Sequence, residues 1–100
     1  MKMDILSAQL SAATDKAMVE LHGKTIERVQ RETAITWAGR ALASYALLAQ
    51  TGELQRLLDA EEYGHEALEH AALADPSLCG AIALHLADAK ERAMRATNPL

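Results

Sequence analysis

The two side chains best placed to do chemistry are Glu61 and His65, four residues apart and so able to touch across one helical turn. They fall among Leu54, Leu57, Leu58, Gly64, Leu68 and Ala72, the apolar positions of one helical face. A carboxylate among leucines is costly unless it finds a partner. If the preceding helix turns back at Thr51-Gly52, positions equidistant from that turn oppose one another. Arg40, the only formal charge from Thr33 to Thr51, then lies opposite the Glu61 to His65 stretch. The register predicts a buried Arg40–Glu61–His65 cluster, with Gly39 and Gly64 letting the backbones approach. Its expected role is an ion pair that sets register, because burial of such a pair is weak grounds for inferring catalysis.

A second pattern shares His65. Glu62-x-x-His65 carries a carboxylate and an imidazole on one helix at ligand spacing, with Glu32 upstream as a further carboxylate. The string Glu61-Glu62-Tyr63-Gly64-His65-Glu66 resembles the Glu-x-x-His segments of ferritin-like carboxylate bundles. In that family two such motifs, each with a glutamate from a facing helix, hold iron or manganese. The resemblance implies a metal site of Glu62, His65 and Glu32. The chain has one motif where the family uses two, so a dimer would have to supply the other. There is no glycine-rich phosphate loop, nucleophile elbow or paired-cysteine motif. Cys79, the only cysteine, has no His or Asn at a spacing that would make it a nucleophile.

The elements that must hold these residues are helical. Half the residues are apolar, yet Trp37, Tyr45 and Tyr63 are the only aromatics and Ala and Leu dominate, a composition that favours helix over strand. Gly23, Gly52 and the Asp75-Pro76-Ser77 corner act as stop signals, with Thr25 and Ser77 as N-caps. The spacing predicts helices near 4–22, 25–51, 53–74 and 77–96 in a single all-α domain of 1–100, with a central antiparallel hairpin and a flexible tail at 97–100. Asp88–Arg92 and Glu91–Arg95 form acid-first pairs one turn apart on the last helix.

The predicted first helix carries Met3, Leu6, Leu10, Ala13, Ala17 and Leu21 as a narrow apolar seam, which needs another helix against it. The second has two apolar faces, Ile26, Val29, Trp37, Ala41 and Leu48 on one side, and Ile35, Ala38, Leu42, Ala46 and Ala49 on the other. A helix apolar all round is usually covered on both sides. It is expected to be either the centre of the bundle or an oligomer interface, the interface formed by Ile35, Ala38, Leu42, Ala46 and Ala49 with Leu6 and Leu10.

A net charge of −4 disfavours nucleic acid and a membrane surface as partners. No stretch reaches the ~20 apolar residues a membrane span needs. The polar N-terminal residues predict no secretory signal, and a lone thiol fits a reducing cytoplasm. The expected function is a non-enzymatic interaction module, an adaptor, small chaperone or assembly component. Its expected partner is itself or another helical protein and it needs no cofactor. The alternative is the ferritin-like metal protein completed across a dimer.

Overall fold

The structure is a computed structural model that describes residues 2–97, with the side chains of Met18 and of residues 20–97. This range is all helix apart from its turns: α1 (Lys2–Thr51), α2 (Leu54–Ala74) and α3 (Pro76–Thr97). The expected break at Gly23 does not occur, so the four helices anticipated are three, and the first spans 50 residues. A single glycine costs a helix only about 1 kcal/mol relative to alanine. Thr25 caps nothing; its hydroxyl donates to the Leu21 carbonyl one turn back at 2.9 Å, within the continuous helix. The predicted tail is helical at Thr97, and its remainder lies outside the described residues.

The other stop signals act as breaks. Gly52 takes a φ of 68°, the left-handed region that favours glycine, and its N–H donates to Leu48 O at 2.8 Å to close α1. Asp75 is the only residue between α2 and α3. Its N–H donates to Ala71 O at 2.8 Å, and its carboxylate accepts the Ser77 N–H at 2.9 Å. The N-cap of α3 is therefore Asp75 and not Ser77, with Pro76 at the first helical position, where its missing N–H costs nothing. Asp75 also lies 3.4 Å from Arg31 of α1. Asp75→Ala is expected to lower stability by about 1 kcal/mol and Asp75→Asn by much less, since asparagine caps equally well; urea titration of the two variants would show the difference.

The core is built largely from alanine. Ala34, Ala41, Tyr45 and Leu48 of α1 face Ala60, Ala67 and Ala71 of α2, and Ile82, Leu86 and Ala93 of α3 complete it. Small side chains let the helix axes approach, but they remove little apolar area from water. On α2 the buried row is Ala60, Gly64, Ala67 and Ala71. It is not the leucine row expected, because the small residues admit α1 more closely than leucines would. Leu54 and Leu58 are left exposed and Leu57 and Leu68 half-buried. Trp37 packs on Tyr63 and Gln30 on His70, so the later positions of α1 meet the earlier ones of α2.

The glycines divide by environment. A Cβ on Gly64 would stand 3.2 Å from Leu86 Cδ1, so this glycine makes room for α3. Gly39 is exposed with open space where its Cβ would be, and does not serve helix approach as anticipated. Gly39→Ala should therefore raise stability by about 0.5–1 kcal/mol through lower backbone entropy in the unfolded chain, visible as a higher melting temperature.

Length mismatch shapes the molecule. At 1.5 Å per residue α1 is about 75 Å long and α2 about 32 Å, and the longest dimension of the chain is 83 Å. The contacts Gln30–His70 and Arg31–Asp75 mark where α2 runs out. From Met18 to Val29, every residue whose side chain is described is exposed.

Candidate interaction surface

Rotation of α2 toward its alanine row moves the expected polar cluster apart. Glu61 turns to the α3 side, where its Oε1 accepts a hydrogen bond from Lys90 Nζ at 2.7 Å. His65 Nε2 lies 2.9 Å from Glu69 Oε1 one turn on, and both are exposed. Arg40 is also exposed, its guanidinium 4.9 Å from the centre of the Trp37 ring, which tilts against Tyr63 at 5.6 Å. Distance from the turn set the level of Arg40 along the helix but not its direction around it, so no Arg40–Glu61–His65 cluster is buried here. The cation rests on an aromatic face instead.

The metal candidates are likewise not assembled within the chain. Glu32 pairs with Arg28 at 3.1 Å, Glu62 is exposed and His65 is engaged by Glu69. Among the described residues no group of three His, Cys, Asp or Glu side chains stands close enough to hold an ion. The single motif lacks its facing carboxylate because Glu32 is level with the His70 end of α2, whereas Glu62 is level with the Trp37 region of α1.

One polar contact was not legible beforehand. His70 is half-buried, with Nδ1 2.5 Å from Gln30 Oε1 and Nε2 3.8 Å from Glu66. Among the described residues it is the histidine that joins two helices. His22 stands exposed in mid-helix and His85 is exposed beside the α1–α3 groove. Cys79 is half-buried, its Sγ 3.8 Å from Leu68 O. Asp88–Arg92, at 3.1 Å, and Glu91–Arg95 both form on α3.

Tyr45 and Lys90 make stability depend on alkaline pH. Burial pushes the Tyr45 phenol above its ordinary value, nearby Lys90 opposes this, and Glu61 reinforces it. The hydrogen bond to Glu61 raises Lys90. Both groups hold their protons more tightly when folded. Their contribution is thus full below the unfolded values of about 10 and is lost as pH rises through the raised folded ones. Stability should hold steady toward pH 9 and fall above it, and Tyr45→Phe with Lys90→Gln should flatten that fall in melts recorded across the range.

The second face of α1 is apolar and only partly covered. Ala38 and Ala49 of the second α1 face are half-buried beside α3, while Ile35, Leu42 and Ala46 remain exposed. The expectation that this helix is hidden around its whole circumference therefore fails within one subunit, since α3 covers only a strip. A groove of about 250 Å³ runs there, lined by Ile35, Ala38, Gly39, Leu42, Ile82, His85 and Leu86. Along α1, Met18, Leu21, Ile26, Val29, Ile35 and Leu42 are between 39 and 62% exposed. Ile26 and Val29, read as one face with Trp37, are bare instead, while Trp37 is half-buried. The Leu6 and Leu10 side chains lie outside the described residues.

The chain matches no protein-family model, no characterised protein and no solved structure. Among the described residues no helix is long and apolar enough to cross a membrane.

Proposed function

We propose that the chain is a non-enzymatic helical interaction module that self-associates, serving as an assembly component, adaptor or small chaperone in a reducing compartment such as the cytoplasm. In this reading α1 and α2 form the antiparallel hairpin that, with α3, gives one end of α1 a stable body. The rest of α1 is the contact element. The supporting observation is the bare run from Met18 to Val29, where four large apolar side chains stand exposed on a stretch of helix that none of the other described residues covers.

Such a segment is poorly stable alone. Helical stability in proteins comes mostly from packing an amphipathic face, and isolated helices of this length are marginal in water. A second helix against Met18, Leu21, Ile26 and Val29 supplies what the chain lacks. Circular dichroism over a dilution series tests this. Helical signal should fall by roughly a quarter as the complex dissociates and the uncovered part of α1 unwinds. A signal constant from micromolar to nanomolar concentration, with a monomeric mass throughout, would end the reading.

A further inference from the structure

Resting on that reading, we propose that the partner is a second copy of this chain, and that the two α1 helices pair antiparallel about a two-fold axis between Gly23 and Lys24. Facing positions in an antiparallel pair have a constant sum. About this axis Met18 faces Val29 of the second copy and Leu21 faces Ile26, with His22 and Thr25 between, so the four large apolar residues of the stripe meet one another. A two-fold interface must be self-complementary in this way.

Charge agrees with the choice. At about 100° per residue, Glu20, Lys24, Glu27 and Arg31 fall on the arc opposite this stripe and stay in water, while Arg28 stands at the stripe's edge beside Leu21, paired with Glu32 at 3.1 Å. From Glu20 to Glu32 three acids balance three bases, so two copies of the segment do not repel. On α2, by contrast, Asp59, Glu61, Glu62, Glu66 and Glu69 stand against Arg56 alone, which opposes pairing through that helix.

Support favours antiparallel over parallel. In a parallel pair the two uncovered segments lean only on each other. In the antiparallel pair the run from Met18 to Val29 still meets its own copy, but the stretch of α1 before it lies along the part of the second α1 that α2 and α3 already hold, a preorganised surface that costs less to bind. The opposed helix dipoles add to this. Ile35 and Leu42 stand two and three heptads beyond Leu21, and the left-handed winding that keeps them on the contact stripe also holds Arg28, one heptad beyond Leu21, at its edge, where Glu32 pairs with it. The same register brings residues 5–12 of the second copy, which include Leu6 and Leu10, level with 35–42.

Disulfide trapping tests the geometry. In a Cys79→Ser background, Met18→Cys and Val29→Cys are made as separate proteins and oxidised alone and mixed, and Leu21→Cys and Ile26→Cys serve as a second set should the first perturb folding. The proposal expects the mixtures to cross-link in high yield and Met18→Cys alone to yield little. Its two copies would lie about 16 Å apart along the axis, against the ~7 Å between Cα atoms that a disulfide spans. Efficient Met18→Cys self-linking, or a dimer by mass in which neither mixture links, would overturn this geometry and leave self-association standing. A strictly monomeric mass for the unmodified chain would remove both.

Discussion

Leu21→Glu combined with Val29→Glu is expected to convert the protein to a monomer, raising the dissociation constant at least about 100-fold, or about 2.7 kcal/mol. Each copy would bring two carboxylates against facing residues, Ile26 and Met18, that carry no charge, and an unpaired buried charge costs several kcal/mol. Leu84→Glu is the control. Leu84 is also an exposed large apolar residue, but it lies on α3 away from the α1 stripe, so its replacement should leave the mass unchanged. Equal weakening by both would mean that association follows general surface hydrophobicity and not this stripe. Sedimentation velocity at several concentrations would separate the cases.

Tyr45→Ala should be the most damaging single change to the folded body, at about 3–5 kcal/mol by analogy with other buried aromatics. Tyr45 is the largest side chain in a core otherwise made of Ala, Leu and Ile. It sits where α1 meets the Glu61–Lys90 pair that ties α2 to α3. Alanine neighbours cannot extend into the space it would vacate, so the cavity should persist. With a total stability of about 5–15 kcal/mol typical of such domains, that loss is large. Tyr45→Phe keeps the packing and should change stability by less than about 1.5 kcal/mol while lessening the alkaline fall. Chemical denaturation of the pair distinguishes packing from the phenol group.

Much of the helical content was legible because Ala and Leu periodicity is a strong signal, and the Gly52 and Pro76 breaks were legible because glycine and proline have steric reasons to act there. Gly23 misled, since the same residue type within a helix costs only its propensity. Nothing local tells a glycine that ends a helix from one that sits inside it. On α3 the row Leu78, Ile82, Leu86, Ala89 and Ala93, spaced at three- and four-residue steps, is buried or half-buried. On α2 the rule of burying the largest apolar residues failed, because close approach selected alanine and glycine. That rotation carried Glu61 and His65 away from Arg40. The ion pair Glu61–Lys90 was hidden for a related reason: it joins helices at an angle that linear register does not supply. The bare flank of α1 was legible in its Ile35 and Leu42 spacing, but its extension to Met18 and Val29 depended on where α2 stops.

Coverage of α1 by a second copy is tested most directly by absolute molar mass from light scattering over a range of concentrations. Light scattering is required because a particle 83 Å long leaves a sizing column early whatever its mass. The expected result is twice 10.8 kDa at micromolar concentration, declining toward the subunit mass on dilution. A mass of 10.8 kDa held up to about 100 μM, weaker than about −5.5 kcal/mol of association, would contradict it.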